Sequence, residues 1–116
     1  MFVATYWWEV HPGKEEQFRK AWRRGTELIR EHYGSLGSRL HREYREDGRI
    51  RFIGVAEWPD RATWQRAFDA GMSYDDAETR AAFVDAISDW ADDPLLLMEV
   101  TDDLLDRADG IQAPER

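Results

Sequence analysis

Residues 37–58 read GSRLHREYREDGRIRFIGVAEW, and this stretch decides the fold. Asp47-Gly48 carries the residue types that a tight hairpin turn demands, because its central positions need positive φ. The run after it, 49–58, is rich in β-branched and aromatic residues and reads as a strand; 37–44 reads as a weaker strand before it. Working outward, residues 2–10, FVATYWWEV, read as another strand, broken by His11-Pro12-Gly13. From Lys14 the apolar period becomes 3.6, with Phe18, Ala21, Trp22, Gly25, Ile29 and His32 on one helical stripe. Glu15 and Glu16 in its first turn and Arg30 in its last suit the helix dipole, and Gly34 is a stop signal. Beyond the hairpin, Asp60 caps a short helix whose buried side holds Ala62, Ala67 and Phe68. The spacing of Phe83, Ile87 and Trp90 predicts a further helix over residues 76–90, closed by Pro94. Residues 95–101, LLLMEVT, are the expected last strand. The order β-α-β-β-α-α-β is a split βαβ pattern. It implies a ferredoxin-like α+β domain over 1–101, a four-stranded antiparallel sheet with helices on one face. Residues 102–116 are expected to form a polar, partly disordered tail.

Alternation along the strands separates the two sheet faces. Phe2, Ala4, Tyr6, Trp8 and Val10, with Ile50, Phe52, Gly54, Ala56 and Trp58, form the set expected under the helices. Leu96, Met98 and Val100 join it if the last strand keeps matching register. The opposite set contains Val3, Thr5, Trp7, Glu9, Arg39, His41, Glu43, Ile53, Val55, Glu57, Leu95, Leu97 and Glu99. An apolar patch of a few hundred Å² left in water usually marks an interface. A second copy packed face to face through a two-fold contact would cover it; the C-terminal tail is the other possible cover.

Composition narrows the function classes. The 116 residues suit one domain, and the absence of cysteine removes disulfides, thiolate metal sites and cysteine nucleophiles. A net charge of −8 argues against nucleic acid as a partner. The opening MFVATYWWEV has neither a basic segment nor a long apolar run, and no stretch approaches a membrane span, so a cytoplasmic address is expected. Six tryptophans in so short a chain exceed ordinary packing needs. His11, His32 and His41 have no metal-ligand spacing, so no metal site is expected.

The stretches VHPGKEEQFRKAW (10–22), GSLGSRLHRE (34–43) and RFIGVAEWPDRATW (51–64) resemble the antibiotic biosynthesis monooxygenase family, whose domains form dimeric α+β barrels. The resemblance extends over roughly residues 2–101. In the quinone-forming members neither metal nor flavin is required, so it implies no cofactor. It implies an aromatic or phenolic substrate that loses a proton and passes an electron to dioxygen, while the protein binds the phenol and stabilises the phenolate. Trp58 stands where those enzymes carry a pocket tryptophan. Gly54 stands where they carry an asparagine and Trp64 where they carry a tyrosine, and Arg80 is the nearest match to their pocket arginine. This chain contains no asparagine at all, so the polar group tied to the reacting oxygen is missing, and glycine in its place removes a donor and opens space. Haem-degrading relatives need an asparagine on the first strand and a histidine on the later helix, and this chain has neither. A non-catalytic small-molecule-binding or stress-response dimer is the alternative, and a cofactorless isomerase or decarboxylase a third.

The candidate catalytic residues are therefore Tyr6 and Arg80, and the candidate substrate-binding residues Trp8, Trp58, Trp64, Gly54 and Arg42. Each has a plainer role available. Tyr6 and Trp8, facing Gly54 and Ala56, either interdigitate as core or border a cavity. Arg42 shares the inward parity of its strand and either reaches the rim or meets an anion. Arg80 either neutralises a ligand anion or pairs with Asp76 one turn earlier. His41 belongs to the expected dimer face. Residues 71–75, with Met72 and Tyr74, form a loop that can act as a lid.

Overall fold

The structure, a computed structural model, describes residues 1–106, so most of the expected tail, 107–116, lies outside the described residues. Three helices lie on one face of a five-stranded antiparallel sheet. The elements are β1 (Phe2–Val10), α1 (Glu15–Tyr33), β2 (Gly37–Arg42), β3 (Ile50–Trp58), α2 (Arg61–Asp69), α3 (Ala77–Ala86), β4 (Ile87–Trp90) and β5 (Leu96–Glu99). The strands run in the order β2-β3-β1-β4, and β5 also pairs with β1. No helix among the described residues is long and apolar enough to cross a membrane.

Local chemistry explains most of the boundaries. Gly34 takes the left-handed conformation at φ 81° and its N–H closes onto the Arg30 carbonyl, ending α1. Asp60 caps α2 by accepting from the Thr63 amide at 2.8 Å, and Asp76 caps α3 through the Thr79 amide at 3.0 Å. In the hairpin between β2 and β3, Arg45 bridges Glu43 and Asp47, and Asp47 also accepts from the Arg49 amide. These bonds to its charged form hold the Asp47 carboxyl down at about 2.

The expected faces of β1 and β3 are observed, with Phe2 opposite Trp58, Ala4 opposite Ala56, Tyr6 opposite Gly54 and Trp8 opposite Phe52. Under the helices the core divides in two. One cluster joins Phe2, Ala4, Ala56, Trp58, Trp64 and Ala67; the other joins Val10, Phe18, Ile50, Phe52, Ala86 and Ile87. Phe18 and Trp58 are wholly buried, each stabilising the fold by roughly 1.5–3 kcal/mol through the apolar area removed from water. Small residues border the space between helix and sheet: Ala21 and Gly25 on α1, Gly54 and Ala56 on β3.

Three expectations are corrected. The helix predicted over 76–90 stops at Ala86, and Ile87–Trp90 turns into β4. Ile87 pairs with Val10 and Trp90 with Trp8, so this segment satisfies main-chain groups on the outer edge of β1 that a longer helix would leave unpaired. The sheet accordingly has five strands rather than four, β4 and β5 sharing that edge. The last strand is also one residue out of the expected register: Leu96 faces Thr5 and Met98 faces Val3. Leu96 and Met98 therefore belong to the helix-free face, and Leu97 and Glu99 to the helix side. The Thr5 hydroxyl accepts from the Leu96 amide at 2.9 Å, and the Leu95 amide donates to the Thr5 carbonyl at 2.7 Å; together they pin this register. Finally, His32 is exposed, and Leu28 is buried in the α1 stripe.

Candidate functional site

A cavity of about 260 Å³ opens between the sheet and the helices, where the small residues part the two core clusters. Its volume lies just under the ~300–1,000 Å³ usual for small-molecule sites. The sheet contributes Tyr6 and Trp8 from β1, Ser38 from β2, and Gly54, Ala56 and Trp58 from β3. The helix α1 supplies Ala21, Trp22, Gly25, Thr26 and Ile29, with Ser35 just beyond it. Gly71, Met72 and Tyr74 come from the loop after α2, and Arg80 and Phe83 from α3.

Two glycines shape the walls through close approach. A Cβ on Gly54 would stand 3.0 Å from both Cη2 and Cζ3 of the Trp8 indole. A Cβ on Gly25 would stand 3.1 Å from the Tyr74 hydroxyl. Glycine in the middle of α1 thus lets the tyrosine pack closely on the helix, and a side chain there would push its hydroxyl aside. The expectation that Gly54 opens space is corrected: the Trp8 ring fills that space.

The polar groups lining the cavity are indole N–H groups, hydroxyls and the Arg80 guanidinium, each able to donate a hydrogen bond. Tyr6 accepts from Trp64 Nε1 at 2.7 Å, which leaves its own O–H proton available to an acceptor in the cavity. Burial raises the Tyr6 phenol above its ordinary value of 10.0, and the Trp64 N–H opposes this only in part, so the phenol is neutral near pH 7. Trp58 is 0% exposed, and among the described residues its Nε1–H has no hydrogen-bond partner. An orphaned buried donor costs about 1–3 kcal/mol unless something in the cavity accepts from it. Burial likewise raises the Tyr74 phenol; Arg80 acts in the opposite direction, its guanidinium carbon 5.5 Å from the Tyr74 ring centre. Arg80 is exposed, and among the described residues it makes no ion pair with Asp76, which caps α3 and lies 3.7 Å from Arg24 instead. Among the described residues, no aspartate, glutamate or histidine lines the cavity. Among the described residues, no group of three His, Cys, Asp or Glu is arranged to hold a metal ion.

The structure brings Tyr6, Trp8, Gly54, Trp58 and Arg80 to one cavity. Trp64 stands behind Tyr6 as its hydrogen-bond donor. Arg42 is exposed at the end of β2, opposite Phe52, and does not line the cavity. The sequence reading did not assign Trp22, Gly25 and Ile29 to the site, although all three lie on the apolar stripe of α1. An isolated glycine inside a helical pattern was the available signal. Met72 and Tyr74, on the loop expected to act as a lid, line the cavity. His41 places Nδ1 3.3 Å from the Ile53 carbonyl of its own sheet.

The sequence profile of the antibiotic biosynthesis monooxygenase family matches residues 1–73. No curated protein matches the chain. Among solved structures, SnoaB from Streptomyces nogalater, a cofactor-independent oxygenase, is similar with 15% identity and a TM-score of 0.56, over 90% of this chain and 97% of that one. A candidate antibiotic biosynthesis monooxygenase from Deinococcus radiodurans is similar at 10% identity and a TM-score of 0.60, with the same coverage. Another from Bordetella bronchiseptica shows 17% identity and a TM-score of 0.54, over 86% of this chain and 96% of that one.

Proposed function

The chain belongs to the antibiotic biosynthesis monooxygenase family, and from that premise we propose that it is a cofactor-independent oxygenase of a phenolic or other aromatic small molecule. One observation carries this reading: an aromatic-walled cavity whose polar groups can all donate a hydrogen bond, with the Trp58 N–H buried and, among the described residues, neither a partner for it nor a carboxylate or imidazole in the walls. Such a lining suits a ligand bearing an oxygen acceptor that gains negative charge as it reacts. Tyr6, held by Trp64, donates to that oxygen, and Arg80 at the mouth adds positive charge. The proton lost by the phenol leaves to water at the mouth, since no wall residue is a conventional base. One electron then passes from the phenolate to dioxygen, the resulting radical and superoxide join through a new C–O bond, and loss of water from the hydroperoxide leaves a carbonyl. The sum is one CH₂ and one O₂ converted to one C=O and one H₂O.

Oxygen uptake with anthrone-like phenols tests the reading. Uptake above the uncatalysed background, reduced in Tyr6→Phe, is expected. Background rates across a panel of phenols and quinols would sink it. A non-catalytic ligand-binding role is the second reading, favoured by the Trp8 ring filling the space at Gly54, where the family resemblance puts an asparagine. Ligand-dependent tryptophan quenching without turnover would select it.

The working unit in this proposal is a homodimer joined through the helix-free sheet face. Support comes from Leu96 and Met98, 54% and 40% exposed on that face beside Trp7, Ile53 and Val55. Leu105 of the chain's own C-terminal segment borders a groove with Arg39, His41, Val55 and Glu57.

A further inference from the structure

Trp8 is a wall residue packed directly on a glycine, Gly54. Its six-membered ring sits over Gly54, at a distance that a side chain on residue 54 would not allow without movement. The indole is also wedged from other directions. Phe83 meets it edge-on at 5.8 Å between ring centres, Phe18 lies tilted at 5.6 Å, and Tyr6 stacks at 6.4 Å. Trp22 approaches the same spot from α1, with Nε1 3.7 Å from where a Gly54 Cβ would be. A ring held on three sides cannot swing aside for a ligand without breaking these contacts. The cavity therefore ends against it. At about 260 Å³ the cavity lies just below the ~300 Å³ at which drug-sized sites begin, which suits a small fused-ring molecule.

Resting on the reading that this cavity holds an aromatic ligand, we propose that Trp8, seated on Gly54, is the specificity-determining residue that sets the upper size limit of the ligand. The pair acts as one unit: glycine at 54 admits the indole, and the indole closes the cavity. Shortening residue 8 joins the volume of the ring to the cavity and admits a larger fused system.

The test is calorimetric binding of two-, three- and four-ring phenols (β-naphthol, β-anthrol and hydroxypyrene) to the full chain and to three variants. Trp8→Ala vacates the whole ring. Trp8→Phe keeps an aromatic group against Phe18 and Phe83 while withdrawing the part above Gly54, and it decides the matter if Trp8→Ala does not fold. Tyr44→Phe, fully exposed in the hairpin and outside the cavity lining, is the control. In the Trp8 variants the affinity ratio of the largest to the smallest bound phenol should rise by about tenfold or more, the scale of discrimination a pocket gains or loses with small changes of volume. The control should keep the parent ratio. Equal ratios in the parent and the Trp8 variants, with binding intact, would overturn the size limit while leaving the ligand cavity standing. No binding by any protein of the set would remove the aromatic-ligand reading itself, and the size limit with it.

Discussion

At the scale of single residues, the site depends on contacts that tolerate little change. Gly54→Ala puts a methyl 3.0 Å from the Trp8 ring and should destabilise the fold by ~1–3 kcal/mol, the usual cost of overpacking. Trp8→Phe removes the clashing atoms, so the same change in that background should cost much less. Urea denaturation of the four proteins of this cycle measures the coupling. Tyr6 yields a pH prediction. Its folded-state pKa lies above the ordinary 10.0, because burial disfavours the phenolate. The folded protein therefore keeps a proton that the unfolded chain releases above pH 10. The resulting stability is present below that pH and is lost as pH climbs through the folded value. Tyr74 is shifted in the same direction by the same cause. Melting temperature should fall above pH 10, and Tyr6→Phe should fall less steeply over the same interval.

At the scale of elements, α1 is the hinge between core and cavity. One face carries Phe18 into the lower cluster, where its ring lies 5.1 Å from Phe52 and 5.2 Å from Phe83. The next turns present Ala21 and Gly25, too small to fill the space beneath them. Phe18→Ala should cost ~3–5 kcal/mol in urea denaturation. That is a large share of the ~5–15 kcal/mol typical of a whole domain, so the variant should sit close to its unfolding transition at room temperature. Lys14 and Gln17 tie the start of α1 to the end of α3 through Asp85, at 2.8 and 2.9 Å. The segment after α3 shows where element prediction from periodicity breaks down. Phe83, Ile87 and Trp90 fit a helical stripe, yet Ile87–Trp90 is a strand, because β1 offers open main-chain groups there and four residues lose little by leaving a helix.

At the scale of the whole molecule, the sheet has apolar residues on both sides, and the helices cover only one. Pairing through the other side predicts a species of twice 13.7 kDa in sedimentation at micromolar concentration. Leu96→Glu combined with Met98→Glu should return the 13.7 kDa protomer with its fold intact, since both side chains are exposed in the single chain. A protomer-sized parent protein would remove the dimer from the proposed function. Arg51 over the Trp7 ring at 4.4 Å and Arg49 on Glu9 at 2.9 Å show how charges already shield part of this face.

The amino-acid sequence by itself determined the hairpin at Asp47-Gly48, the first helix and its stop, and the two faces of β1 and β3. Those features are local: turn chemistry and side-chain alternation act over a few residues and need no distant partner. It also brought Tyr6, Trp58 and Gly54 forward, through parity and through family resemblance. Only the tertiary structure decided the register of β5, because the run LLLM is apolar on both parities and either alignment satisfies the alternation rule. Only it placed Trp8 on Gly54, Trp64 behind Tyr6 and Tyr74 on Gly25. These contacts join residues 46, 58 and 49 positions apart along the chain, and which of them meet is settled by how helices seat on the sheet.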